Sequence, residues 1–192
     1  MGTVKIEILQ QGPIDENCYI VCFDGGEAAV IDPGYNADRI LEKARELGAE
    51  IKAILLTHGH PDHVGALPQL KEKTGAAVYC SAEDAYRMPV APDVLLKDGD
   101  TVRVGDGEFT VIATPGHTEG SICFLIGDEF FTGDTLFAGS VGRTDLPGGD
   151  PMQMFRTLKK LRDLPYEDLN IYPGHEEMTR LADERLFNPF LG

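Results

Sequence analysis

The chain has 192 residues, with 17 Lys and Arg against 32 Asp and Glu, for a formal charge of −15. That length suits one domain with a buried core, and 42% apolar with 26% charged residues is ordinary for a globular protein. The acidic balance argues against a nucleic-acid or anionic-membrane binder, since both require a basic face.

No apolar run approaches the ~18–20 residues of a membrane span. The N-terminus, Met1-Gly2-Thr3-Val4-Lys5, has neither a signal-peptide apolar core nor an Arg-rich stretch. Ile6 stands where a myristoylation signal needs Ser or Thr. Cys18, Cys22, Cys80 and Cys123 form no CxxC pair and lie in apolar surroundings, so buried reduced thiols and a cytoplasmic protein are expected.

Val4–Leu9, Cys18–Phe23 and Ala28–Ile31 are β-branched, apolar segments separated by turn residues, and they read as a strand meander. After Asp32-Pro33-Gly34, Asn36 caps a helix whose apolar face is Ile40, Leu41, Ala44 and Leu47, with Gly48 as its stop. Ile51–Leu56 reads as a strand buried on both faces, followed by a helix from about Asp62 to Lys73 and a short strand at Ala77–Cys80. The second half repeats the rhythm, with strands near Thr101–Val104, Glu108–Ala113, Ser121–Ile126 and Glu129–Thr132. Asp150-Pro151 opens a helix with Phe155, Leu158 and Leu161 as its apolar face. Leu169–Tyr172 is a last strand before a terminal helix at about Met178–Phe187. Strands outnumber helices, yet helices punctuate both halves, which fits two packed sheets with helices outside better than one doubly wound sheet. No linker or low-complexity stretch divides the chain, so residues 1–192 are expected to form one domain.

The chemistry-bearing segment is Thr57-His58-Gly59-His60-Pro61-Asp62-His63, directly after an apolar strand and at the opening of a helix. Four ligand-type side chains within six residues exceed what a solvated surface needs. Imidazole nitrogen and carboxylate oxygen suit Zn²⁺, Fe or Mn²⁺. A loop can turn His58 and His60 toward one centre while Asp62 and His63 face a neighbouring one. The other histidines, His117 in Thr114-Pro115-Gly116-His117 and His175 in Tyr172-Pro173-Gly174-His175, also follow predicted strands, as does Asp134 in Gly133-Asp134-Thr135. Ligands gather at such strand ends in open sheets. Asp32 is a candidate to hold a ligand imidazole from behind, with closure of the turn before Pro33-Gly34 as its alternative role. Gly139–Asp150 is a glycine-punctuated loop in which Arg143 could meet a substrate carboxylate or buttress Asp145.

These residues, with Ile31-Asp32-Pro33-Gly34 and Thr132-Gly133-Asp134-Thr135, resemble the metallo-β-lactamase superfamily over essentially the whole chain. Within it, Asn17-Cys18-Tyr19 and Gly142-Arg143-Thr144-Asp145 make the chain similar to the glyoxalase II-like (hydroxyacylglutathione hydrolase-like) enzymes. The resemblance implies an αββα sandwich of two mixed sheets. It assigns His58, His60 and His117 to one divalent ion, Asp62, His63 and His175 to a second, and Asp134 to both. Two Zn²⁺ ions are implied, with Fe or Mn as alternatives. The activity implied is hydrolysis of an acyl-thiol such as S-lactoylglutathione by a metal-bound hydroxide, with Asp62 orienting the nucleophile.

Only 17 residues follow His175, where glutathione-specific relatives add a basic helical domain, and Glu176 and Glu177 place acids beside the site. A related family, the mononuclear Fe(II) persulfide dioxygenases, shares the HxHxDH run and a Gly-Arg-Thr-Asp sequence like Gly142–Asp145, and would use His58, His117 and Asp134 alone. A metal-stabilised binding module without turnover is the third possibility.

Overall fold

The computed structural model describes residues 4–191. A hairpin of β1 (Lys5–Gln11) and β2 (Glu16–Cys22) leads into β3 (Glu27–Ile31), α1 (Ala37–Glu46) and β4 (Glu50–Leu55). Two short helices, α2 (Pro61–Val64) and α3 (Leu67–Thr74), precede β5 (Ala77–Ser81), a 3₁₀ turn at Ala85–Arg87 and β6 (Val94–Leu96). Next come β7 (Thr101–Val104), β8 (Gly107–Ala113), β9 (Ile122–Ile126) and β10 (Glu129–Gly133), then a small ribbon of β11 (Leu136–Phe137) and β12 (Ser140–Val141). The chain closes with α4 (Pro151–Arg162), β13 (Asn170–Pro173), β14 (Thr179–Arg180) and α5 (Leu181–Phe187).

Six strands in sequence order, β1 to β6, make the first sheet, antiparallel up to β3 and parallel from β3 onward. The second runs β14-β13-β10-β9-β8-β7, antiparallel except where β13 lies parallel to β10. Strand alternation explains how the layers stack. In β2, Tyr19 and Val21 point into the core between the sheets while Cys18, Ile20 and Cys22 face the core under α1 and α3. In β9, Phe124 and Ile126 point inward while Cys123 and Leu125 pack beneath α4 and α5. The result is the expected αββα sandwich, and its central strands are apolar on both faces for that reason. All four cysteines are buried and free. Burial pushes the Cys80 and Cys123 thiols up to about 12, so neither is a nucleophile at neutral pH. Among the described residues, no helix is long and apolar enough to cross a membrane.

Four expectations need correction. The helix expected over Asp62–Lys73 is two helices, broken at Gly65-Ala66. The Ala66 N–H donates to the Pro33 carbonyl at 2.9 Å rather than continuing the first helix, and Pro68 opens the second, where its missing N–H costs nothing. A Cβ on Gly65 would overlap the Gly34 carbonyl, so this break is also a close crossing of two backbones. Phe155 is 64% exposed; the buried stripe of α4 is Met154, Thr157, Leu158 and Leu161. The terminal helix starts only at Leu181, because Thr179 and Arg180 pair with β13 instead. Lys52 leaves the face of β4 that was expected to be buried, and full burial begins at Ala53. The edge strand β6 escaped sequence reading since Val94 and Leu95 are exposed and only Leu96 is buried, which leaves no alternation to detect.

Candidate metal centre

Five strand ends deliver the site. Asp32 follows β3, the His58–His63 segment follows β4, His117 follows β8, Asp134 follows β10 and His175 follows β13. The backbone is bent to the task at Asp32, whose φ of 49° is a left-handed conformation that costs energy for a side chain larger than glycine. His60 is the residue before α2, in extended conformation, with Pro61 fixing the first helical position.

The seven residues expected as ligands meet at one place in two groups. His60 Nδ1 lies 2.8 Å from His117 Nε2, with His58 beside them. His63 Nε2 lies 3.2 Å from His175 Nε2, which is 3.1 Å from Asp62 Oδ2. Asp134 sits between the groups: Oδ1 is 3.3 Å from His63 Nε2, and Oδ2 is 3.5 Å from His117 Nε2 and 3.7 Å from His175 Nε2. Donors of a tetrahedral Zn²⁺ site at ~2.0–2.1 Å from the ion stand about 3.3 Å apart, so each trio has the spacing of a ligand set.

Hydrogen bonds fix which ring nitrogen faces inward. Thr57 donates its hydroxyl to Asp32 Oδ2 at 2.5 Å, so its oxygen accepts from His58 Nδ1–H at 3.1 Å. His63 Nδ1–H donates to Asp32 at 3.0 Å, His117 Nδ1–H to the Arg143 carbonyl at 2.7 Å, and His175 Nδ1–H to the Ile14 carbonyl at 3.1 Å. Four imidazoles therefore turn Nε2 toward the centre. Two buried atoms at the centre, His58 Nε2 and Asp134 Oδ1, have no hydrogen-bond partner among the described residues. Buried polar atoms are otherwise almost always satisfied, so the donor set fits divalent cations. Asp32, His58 and His63 also lie close enough to form a ligand trio. The Asp32 oxygens, however, are occupied by the Thr57 N–H at 2.8 Å, the Thr57 hydroxyl and His63, which makes Asp32 a brace rather than a ligand.

Electrostatics divide the histidines. Burial, with the neighbouring imidazoles, holds His58 well below the usual histidine range, and burial and His117 lower His60. Burial opposes charge on His63 too, but Asp134 and Asp32 outweigh it and raise it well above that range. Asp62 is drawn down to about 2, since His175 and His63 outweigh its burial. Asp134 is lowered against its burial by His63 and His117. Both carboxylates are therefore ionised at neutral pH, as ligands must be.

Sequence reasoning missed a second set of residues. Asn17 donates its side-chain N–H groups to the carbonyls of Pro173 at 3.1 Å and Glu176 at 2.9 Å, while Tyr19 Oη donates to Pro173 at 2.5 Å. These bonds tie the first hairpin to the His175 loop. Asn17-Cys18-Tyr19 stood out only as part of a resemblance, and a side chain that serves distant carbonyls leaves no local spacing to read. A Cβ on Gly174 would overlap Asp134 Oδ1, which explains the glycine before His175. Arg143 is exposed and forks onto Asp145 with two bonds of 2.7 Å, so its guanidinium buttresses that acid, and its carbonyl serves His117.

A cavity of about 1010 Å³ opens above the cluster. Ile14, Phe137, Val141 and Leu146 give it an apolar wall, and Asp15, Glu176 and Glu177 give it acids, with Arg143 its one Lys or Arg among the described residues.

Comparison with known proteins agrees with this geometry. The family model described as "Metallo-beta-lactamase superfamily" matches residues 12–175. The chain belongs to the metallo-beta-lactamase superfamily. It is thus a member of a family of metal-dependent hydrolases. The hydroxyacylglutathione hydrolase GloC of Haemophilus influenzae is 36% identical over 209 residues, spanning 98% of both chains. Among solved structures, ETHE1 from Myxococcus xanthus superposes with a TM-score of 0.88 at 36% identity, covering 96% of this chain and 83% of that one. TTHA1623 in a di-iron-bound form superposes at 0.85 with 38% identity, covering 96% and 100%.

Proposed function

We propose that this superfamily member is a thioesterase of the hydroxyacylglutathione hydrolase type, working with two divalent metal ions, most simply Zn²⁺. The observation that carries the reading is the pair of ligand trios flanking the Asp134 carboxylate at the floor of an open cavity, with Oδ2 near a histidine of each trio and Oδ1 near His63. His58, His60 and His117 would hold one ion, Asp62, His63 and His175 the other, and Asp134 both. Ions held there supply Lewis acidity and bring the pKa of water toward neutrality.

The chain's own groups do the rest. Asp62, ionised at neutral pH, accepts a hydrogen bond from an attacking water and orients it. Asp32 keeps His63 turned inward. The apolar wall of Ile14, Phe137, Val141 and Leu146 receives an acyl chain or a thiol arm. All five histidines are engaged in the cluster, so none is free to protonate a poor leaving group. A thiolate, whose conjugate acid has a pKa of ~8.5, leaves without that help, unlike an amine or alkoxide. This favours a thioester substrate. GloC's name supports glutathione as the thiol.

A second reading, a mononuclear Fe(II) persulfide dioxygenase using His58, His117 and Asp134, draws support from the shared HxHxDH run; the TTHA1623 relative shows that such a site takes iron, though as two ions rather than one. Metal-loaded protein assayed on a panel of acyl-thiols, beside oxygen uptake with glutathione persulfide, separates the two. Thioester turnover with two tightly held ions supports the first. Oxygen consumption with one iron per chain supports the second, and no turnover of either substrate overturns both in favour of a metal-stabilised binding module. The expected setting is cytoplasmic, as a single domain acting on a small molecule, with no nucleic-acid or membrane partner.

A further inference from the structure

We propose that Asp84 is a positioning residue for the first metal trio, locking the His58–His60 loop to the His117 loop across the two sheets. It lies outside every segment that supplies a ligand, between β5 and the 3₁₀ turn Ala85–Arg87. It is fully buried. Its Oδ2 accepts the N–H of Gly59, the peptide between His58 and His60, at 2.8 Å, and the hydroxyl of Thr118, next to His117, at 2.8 Å. Its Oδ1 accepts the N–H of Gly120 at 3.2 Å and has Arg87 Nε at 3.4 Å. A Cβ on Gly120 would overlap Asp84 itself and Ser81, so the His117 loop is pressed against this residue.

One carboxylate thus receives donors from a loop of the first sheet and a loop of the second. A carboxylate accepts at both oxygens and donates at neither. An amide in its place would turn an NH₂ either toward the Gly120 N–H and Arg87 or toward the Gly59 N–H, so in either orientation at least one bond to a ligand-bearing loop is lost and the charge that holds the others is gone. Asp84 touches no ligand imidazole and acts only through the backbone around His58, His60 and His117. The second trio draws His63 and Asp62 from α2 and His175 from the far side of the centre, and has its own brace in Asp32. Asp84 therefore sets the spacing of the first trio and leaves the second nearly untouched. The assignment rests on the reading that these trios hold metal.

The test is stepwise zinc titration of wild type, Asp84→Asn and Thr118→Val against a chromophoric chelator, with imidazole NMR signals assigning each ion to its trio. Co(II)-loaded protein adds a visible spectrum, and melting of the metal-free proteins reports the scaffold. Asp84→Asn weakens the first ion by roughly 10–100-fold, the range found when a group supporting a ligand is removed. It changes the second by less than about threefold and shifts the Co(II) bands. Thr118→Val, which removes a single hydroxyl and keeps the shape, weakens the first ion by a smaller factor and decides the matter if Asp84→Asn does not fold. Equal weakening of both ions, or a lower melting temperature with both affinities unchanged, reduces Asp84 to a scaffold residue and overturns the proposal. A wild type that binds no zinc, iron or cobalt at either trio instead overturns the metal reading and the proposal with it.

Discussion

The floor of the cavity and its rim are built on different terms. At the floor, each imidazole except His60 has its other ring nitrogen tied: His63 by Asp32, His58 by Thr57, His117 by the Arg143 carbonyl, His175 by the Ile14 carbonyl. At the rim, Asp15, Glu176 and Glu177 are exposed, and Arg143 faces solvent while paired with Asp145. A buried donor that is already oriented loses little freedom when an ion arrives. An exposed ion pair contributes only about 0–1 kcal/mol and can be rearranged cheaply. The chemistry is consequently fixed at the floor, and the choice of thiol is adjustable at the rim.

The sharpest way to break this contrast is at Asp134. Asp134→Asn removes the charge shared by both trios, so one of two ions is lost and turnover falls by at least roughly 10²–10³-fold, the scale for removing one key electrostatic group; metal quantification and steady-state rates read both. A floor that tolerates this change would not be the rigid element described. Next in size is Asp32→Asn, which leaves every ligand in place but frees His63 to rotate; affinity for the second ion drops by roughly 10–100-fold in chelator competition.

Glu16 tests the floor's surroundings. It is fully buried, neither carboxyl oxygen has a partner among the described residues, and burial, with the nearby acids adding to it against His63, pushes it up to about 10. Below pH ~4.5 both folded and unfolded chains carry it protonated; above that, only the unfolded chain gains by ionising, so stability is lost as pH rises toward 10. Glu16→Gln should stabilise the metal-free protein by about 1–3 kcal/mol at pH 8, the scale of an uncompensated buried polar group, and by almost nothing at pH 4. Denaturant titrations at the two pH values check the sign, and a gain that is equal at both would refute it. The smallest effect belongs to the rim. Neutralising Asp15, Glu176 and Glu177 together should raise kcat/KM on a glutathione thioester, with its two carboxylates, by a few-fold at low salt and less at high salt. A neutral thioester should not respond. A large effect on both substrates would mean that the rim takes part in the chemistry.

The floor was readable in the sequence because metal ligation uses few residue types, and His58-Gly59-His60-Pro61-Asp62-His63 packs four of them into one loop after an apolar strand. The two-sheet architecture was readable as well, since strands such as β2 and β9 are apolar on both faces. Asp84 was not, although it too follows a strand: in Ser81-Ala82-Glu83-Asp84 it looks like any loop acid, and its partners are backbone N–H groups of remote loops, which carry no signature of residue type. The break at Gly65-Ala66 was hidden for a similar reason. Local spacing favours one continuous helix there, and only the crossing of the Pro33-Gly34 backbone makes the interruption favourable. Phe155 misled because an aromatic at helical spacing is assumed to turn inward, while the register of α4 places Met154 there instead.

The clamp formed by Asn17 has a consequence in time as well as space. Asn17 and Pro173 are 156 positions apart, and His175 and Ile14 are 161 apart. The loop that closes between them spans most of the chain, and contacts of such separation form late in folding. During synthesis, the His58–His63 segment emerges long before its partner His175. A growing chain therefore lacks the second trio until its last strands have joined the sheet. Occupancy of both trios would report that the first hairpin and the final strand have met, and the protein would become competent for two ions only once its fold is complete.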